Sequence, residues 1–389
     1  MKDNFALAVE KSTASFVNNN LIGCGVAEKI IGEMISSQKN AVILCHDNGW
    51  FEAGRQIKQA LNGNAVCFSI EDQPNFEKVA TTLLNSVKNI DYLIAVGSED
   101  LANYALGYMQ NKGGKVIYLP LDMQFSRYFV NLLKTQNCFL ILDEQRLLKC
   151  GKNRLTDGIR TVLSKKLFLV EMAVNQSIAG GIPKKEAQEC IFESLKRVQN
   201  YLKQQNVQEL ILAILIACIG EVCSGVGNIV SSATDILFKI EKLSLRGEAE
   251  YLFYKMVLRS YQLYLKNDTS FLLASPGIVL EEEQIDQLFL NSYKKPTVSL
   301  PPYFNDFCEV QRLKELASNE QVLSLINMQI SEIERDEELL KKQYGGRKYT
   351  VEHYNAKQRS KALTLAPYIT DKSTLYDLLF VSGFSQYLK

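Results

Sequence analysis

Two groups of residues in this chain have the types and spacing to do chemistry. The first is Gly97-Ser98-Glu99-Asp100, set where the apolar run YLIAVG ends and a helical pattern begins. A strand, a tight turn and a capped helix in that order present backbone N–H groups to a phosphate. The second is the scatter of Asp157, Glu221, Cys223, Asp235 and Glu248 through a helical region. Carboxylates and a thiolate there could hold a cation. Histidine is scarce: His46 and His353 are the only two. Cys45-His46-Asp47 offers a nucleophile, a base and an orienter in name, but neighbours in an extended segment point to opposite faces, so this triad is set aside.

Those residues need elements to place them. From Asn40 to Asp143 the apolar runs AVILC, AVCFSI, YLIAVG, KVIYLP and CFLIL alternate with helical patterns around 50–61, 75–88 and 98–112. Runs that are apolar throughout and separated by helices predict a parallel sheet covered on both faces. IGCGVAEKIIGEM precedes them, with glycines at 23 and 25 and then a helix. After residue 150 helical spacing takes over, with helices expected near 154–175, 184–204, 207–222, 226–242, 246–266, 280–292, 307–343 and 371–382. Gly180-Gly181-Ile182-Pro183, Pro276-Gly277, Pro301-Pro302 and Gly345-Gly346 punctuate them. The expected organisation is therefore an α/β Rossmann-like domain over 1–150 and an all-helical domain over 151–389.

Bulk properties narrow the class. With 389 residues, 47% of them hydrophobic, the chain can bury a large core. Lysine plus arginine, 44, nearly cancels aspartate plus glutamate, 43, so no overall field draws it to nucleic acid or an anionic membrane. Nine cysteines without a CxxC pair predict free thiols in a reducing cytoplasm. The start, MKDNFALAVEKSTASF, lacks an apolar export core, and LILAILIACIG from Leu210 is about half a membrane span, so it is expected to be a buried helix. A small-molecule ligand, and a homo- or hetero-oligomer, are the partners left open. The mixed-sign stretch SEIERDEELLKKQYGGRKY reads as a solvated helix face, and the tyrosines after Tyr251 read as core.

Several strings, in order, resemble the superfamily of glycerol dehydrogenase, glycerol-1-phosphate dehydrogenase and dehydroquinate synthase. CHDNGWFEAGRQIKQAL is similar to its first strand-to-helix turn, and AVGSEDLANYA to a contracted form of its glycine-rich phosphate turn. ILDEQRLLKCGKNRLTDGIRTVLSKKL resembles its crossing into the helical half. CSGVGNIVSSATDIL and LRGEAEYL fall where relatives carry histidine-bearing motifs, and APYITDKSTLYDLLFVSGF is similar to a family last helix. The resemblance implies a dehydroquinate synthase-like fold, with NAD(P) across the cleft between the domains and Zn²⁺ or Fe²⁺ held by a carboxylate and two histidines.

Carried over by position, those metal ligands fall on Thr161, Asn228 and Arg246. A hydroxyl and an amide are weak ligands, a guanidinium repels a dication, and two histidines cannot be found in the helical half at any register. No zinc or iron is therefore expected. The cofactor contacts implied by the resemblance are Asp47, Gly97, Ser98, Asp100, Pro120 and Asp122, weakened by the acids Glu99 and Asp100 and by bulky Leu121. Arg127 and Lys134 could offset that charge, and Lys165 and Arg246 are the candidates for any surviving catalysis. The resulting expectation is a degenerate, metal-free binding, regulatory or assembly subunit. The alternative is an NAD(P)-dependent glycerol or glycerol-1-phosphate-type dehydrogenase with substituted ligands. A dehydroquinate synthase-like lyase would need the same metal.

Overall fold

The structure is a computed structural model and describes residues 22–35, 39–71, 75–125, 137–149, 151–179, 184–240, 245–266, 320–344, 356–368 and 374–376. The helices expected at 280–292 and 307–319, most of 371–382, and Arg127, Lys134 and His353 lie outside them. Two compact units emerge: Met1–Gly158 with Glu193–Val222, and Ile159–Phe192 with Cys223–Lys389.

The first unit is built on six parallel strands: β1 (Ile22–Cys24), β2 (Ala41–His46), β3 (Ala65–Ile70), β4 (Tyr92–Gly97), β5 (Lys115–Pro120) and β6 (Cys138–Leu142), in the order β1-β6-β5-β4-β2-β3. Five of these match the apolar runs. β1 is the addition; three residues are too few for a periodic signal, and pairing with β6 (Ile22 with Leu140, Cys24 with Leu142) makes it a strand. Helices α1 (Ala27–Met34) and α2 (Arg55–Ala60) pack on one face, where Ile31, Ala53 and Ile57 meet Ile43, Cys45, Ile94, Val96, Ile117 and Leu119. The chain reaches α2 through a turn at Asp47–Gly49 and a wide π-type turn at Trp50–Gly54. α3 (Phe76–Asn85) and α4 (Glu99–Gln110) join β3 to β4 and β4 to β5. Because β2 leads outward to β3 and β4 returns to its other side, chain direction reverses between β2 and β4. In open parallel sheets that reversal opens a crevice at the carboxyl ends of the strands.

Asp143 ties the sheet to its helices. It follows β6 and is buried, and its carboxylate accepts from Ala27 N at 3.0 Å and from Arg146 N at 3.2 Å, so it caps both α1 and α5 (Glu144–Leu148). It also pairs with Arg146 Nε at 3.2 Å, while Arg146 reaches Glu28 and the Glu52 carbonyl.

The helices that follow are α6 (Gly151–Ser164), α7 (Leu167–Ala179), α8 (Lys185–Gln204) and α9 (Val207–Ser224), and the expected single helix at 154–175 is thus two. By packing, 151–158 and 193–222 group with the sheet rather than with the helical remainder expected from residue 151. The reason is close apposition: a Cβ on Gly158 would lie 2.7 Å from Ile214 Cδ1 and 3.6 Å from Met123 Cβ, and Cys218 Sγ lies 3.8 Å from the Phe125 carbonyl. α9 is apolar and long enough to cross a membrane by composition, yet its residues from Leu210 to Ile219 are buried inside the protein.

The second unit comprises α10 (Ile229–Ile240), α11 (Arg246–Lys266), α12 (Glu320–Tyr344), α13 (Ala356–Leu365) and the parts of α6 to α8 assigned to it. α12 is a single helix here, anchored by Glu332 and Asp336, each 2.8 Å from Lys166 Nζ. Tyrosines 251, 254, 261 and 264 of α11 are buried, as their spacing predicts. Glu171 of α7 accepts from the Tyr261 hydroxyl and, at 3.0 Å, from Leu375 N. Burial nevertheless pushes its carboxyl up to about 7.

Two outcomes are expected. Asp143→Ala removes the acceptor of two helix N–H groups and one of the partners of Arg146, so chemical denaturation should show a loss of about 3 kcal/mol. Glu171 keeps its proton in the native chain when the unfolded chain has lost it, so native stability should fall as pH rises from about 4.5 to about 7. Melting curves of Glu171→Gln across that window should lack this component, worth on the order of 3 kcal/mol.

Candidate functional site

The sequence-derived residues gather in two places, one in each unit. At the carboxyl ends of the strands, Gly97 closes β4 with φ +121°, a conformation that favours glycine, and its register partner is Pro120, the last residue of β5. The buried Tyr118 hydroxyl donates to the Gly97 carbonyl at 3.2 Å, which fixes the turn. Ser98 is the N-cap of α4, its Oγ accepting from Leu101 N at 3.4 Å; Glu99 and Asp100 fill the first turn. Asp47 stands exposed after β2 and accepts from the Ser69 hydroxyl of β3. Asp122, beyond β5, accepts from Gln124 N at 3.1 Å and lies 3.4 Å from Arg154. Burial raises the Asp122 carboxyl above its ordinary range, with Arg154 and the Gln124 N–H pulling the other way.

The residue that pattern reading passed over is His46. Its ring leaves β2 on the side away from Cys45, whose sulfur points to the Phe68 carbonyl at 3.7 Å. Nδ1 lies 3.2 Å from the Ile70 carbonyl and Nε2 3.3 Å from Ser98 Oγ, so the imidazole spans the carboxyl ends of β3 and β4. The ring stands edge-on to Phe76, with centroids 5.8 Å apart. Gly49 lets the turn after β2 pack tightly against the sheet: a Cβ there would lie 3.0 Å from the Val96 carbonyl oxygen and 3.2 Å from Cys45 Cβ. Leu121 packs beside it, its Cδ1 3.6 Å from the same point. The parallel register, which aligns Cys45 with both Val96 and Ser69, sets this placement.

Against this geometry a diphosphate fits poorly. One glycine of the turn remains, the Ser98 hydroxyl is engaged as a cap, and two carboxylates sit in the turn that would face the phosphates. Asp47 is the residue with ribose-type chemistry, and Ser69 already holds it.

In the helical unit the three positions implied as metal ligands are linked through one carboxylate, Glu250 of α11, which has 0% exposure. Lys165 Nζ, from a side chain 1% exposed, lies 3.0 Å from Glu250 Oε2, and Ser164 Oγ lies 3.3 Å from the same oxygen. The other oxygen accepts from Arg246 Nε at 3.1 Å and from Ser231 Oγ at 3.5 Å. Arg246 Nη2 completes the network on Asp235 at 2.7 Å. Asn228 caps α10, its amide accepting from Ser231 N at 2.9 Å and donating to Ser231 Oγ at 2.5 Å. Thr161 is buried on α6, and its carbonyl accepts from Ser164 Oγ at 2.7 Å. Arg246 thus pairs with both Asp235 and Glu250. Glu248 faces Arg160 at 3.9 Å, and Asp157 is buried in the second turn of α6 rather than at its start.

This donor set does not suit zinc or iron. A buried hydroxyl, a capping amide and a guanidinium stand where ligands are needed, and two cations already take up the two carboxylates. Among the described residues no group of three or more His, Cys, Asp or Glu could hold a metal ion.

The network carries its own expectation. Removing one partner of a buried pair leaves an uncompensated charge, so Glu250→Leu should cost about 3 to 5 kcal/mol by denaturant titration. The double variant Lys165→Met with Glu250→Leu should recover much of that loss.

No protein-family model matches the chain, and no curated protein matches its sequence. Solved structures do. Alcohol dehydrogenase from Oenococcus oeni superposes with TM-score 0.54 at 13% identity, over 95% of this chain and 99% of that one. Sulfoacetaldehyde reductase from Bifidobacterium kashiwanohense, solved with NAD+, gives 0.52 at 12%, over 96% and 98%. Glycerol dehydrogenase from Schizosaccharomyces pombe gives 0.51 at 12%, over 84% and 91%. The parallel sheet followed by helices, matched over most of each chain, gives this protein the fold shared by these alcohol and glycerol dehydrogenases.

Proposed function

We propose that this chain is a metal-independent representative of the fold, working as a binding, regulatory or assembly subunit and not as a polyol dehydrogenase. The observation that carries this reading is Arg246, locked between Asp235 and Glu250 at the position implied for a histidine ligand. Hydride loss from an alcohol requires stabilisation of an alkoxide, which a dication supplies in a low-dielectric site. A guanidinium already held by two carboxylates brings little net positive field to bear, and Lys165 is likewise engaged by Glu250. Lys165 and Arg246 are thereby positioning residues that hold α6, α10 and α11 together.

NAD(P) is the natural first ligand to examine, because sulfoacetaldehyde reductase, one of the structural neighbours, was solved with NAD+. Glu99 and Asp100 argue for weak binding here. A reducing compartment such as the cytoplasm accords with the seven cysteines described as free thiols.

Elemental analysis after dialysis against chelator, combined with an alcohol oxidation assay and calorimetric titration of NAD, NADP and ADP, tests the reading. The expected result is substoichiometric zinc and iron, an unchanged melting temperature on chelation, and no NAD(P)-dependent oxidation of glycerol or glycerol 1-phosphate. Stoichiometric metal retained together with such oxidation would overturn it in favour of a dehydrogenase with substituted ligands.

A further inference from the structure

We propose that Ser98 and His46 form a nucleophile and general-base pair for acyl transfer at the carboxyl end of the sheet. The activity is separate from any dehydrogenase chemistry and lies wholly in the first unit. It stands on other residues than the metal-site reading, so either can fail alone.

The hydrogen bonds assign the protons. The Ile70 carbonyl can only accept, so His46 Nδ1 carries hydrogen, and in the neutral ring Nε2 is then the acceptor that faces Ser98 Oγ at 3.3 Å. Ser98 directs its own hydrogen to the imidazole while its lone pair takes the Leu101 N–H. A nucleophile within reach of a base whose other nitrogen is held by a third group is the arrangement that activates a hydroxyl. The orienting group here is a backbone carbonyl, and Phe76, 1% exposed, restrains the ring edge-on. Both reacting side chains keep partial exposure, in contrast to the fully buried Cys45. They also sit where the strand order reverses, the place at which open parallel sheets receive ligands.

The reaction balances without any cofactor. Ser98 Oγ attacks the carbonyl carbon of an ester as its proton passes to His46 Nε2, and the negative oxygen is met by N–H groups of the first turn of α4. The ester C–O bond then breaks, and the departing alkoxide takes the proton from Nε2. Water, deprotonated by the same nitrogen, attacks the acyl-serine; the acyl C–Oγ bond breaks, and Nε2 returns the proton to Ser98 Oγ as the acid departs. Asp47, Glu99 and Asp100 around the pair repel anionic acyl groups, so the substrate class is a small uncharged or cationic ester.

The test uses the full chain, a fluorophosphonate probe and p-nitrophenyl acetate. The expected result is a covalent adduct on the peptide carrying Ser98 and ester hydrolysis that falls about 100-fold or more in His46→Ala, the range for losing a general base. Ser98→Asp retains an N-cap acceptor for α4, so its loss of labelling and hydrolysis, with an unchanged circular dichroism spectrum, separates chemistry from unfolding. Absence of an adduct at Ser98 in folded protein, or equal labelling of His46→Ala, would overturn the proposal.

Discussion

A carboxylate with no access to water, Glu250, organises the helical unit. Burying it alone would be prohibitive, and the chain offsets that cost with Lys165 and Arg246 on its two oxygens and the hydroxyls of Ser164 and Ser231 around them. These four partners come from three stretches: the close of α6, the start of α10 and the start of α11. The arrangement spends the interior on internal charge balance, where the superfamily resemblance implies an ion.

The sheet unit shows the complementary solution. The core of its sheet is apolar, and several polar groups gather at the strand ends, where caps and register bonds satisfy them. Tyr118 on the Gly97 carbonyl, Ser98 on Leu101 N, and Ser69 on Asp47 are local closures of backbone or side-chain valence. His46 differs because it links the ends of β3 and β4, which follow one another in sequence but are separated in the sheet by β2 itself. That places a titratable ring at the reversal point of the topology.

Much of the fold was legible because burial writes itself into composition. Strands covered on both faces need unbroken apolar runs, and AVILC, YLIAVG and CFLIL supplied them; α11 was bounded correctly by its spacing. Three features were not legible. β1 is three residues long and exists through pairing with β6, a tertiary effect with no periodic trace. The break between α6 and α7 falls at Lys165 and Lys166, residues that are ordinary within a helix and are diverted by ion pairs to Glu250 and to Glu332 and Asp336. At the site, the ion pairs of Arg246 could not be read from the sequence: Asp235 lies 11 residues away, and the fold brings the two side chains together. His46 was considered beside Cys45 and Asp47, its neighbours in sequence. The residue it meets is 52 positions away, and only sheet register could reveal it.

The double cap at Asp143 has a consequence for how the first unit opens. A three-residue edge strand would ordinarily fray, with rapid amide exchange at Cys24 and its neighbours. Here α1, which follows β1 directly, and α5, which follows β6, share one carboxylate, so neither can unwind without releasing the other. Edge and interior of the sheet are thereby joined into a single cooperative segment, with protection carried from β6 out to the margin.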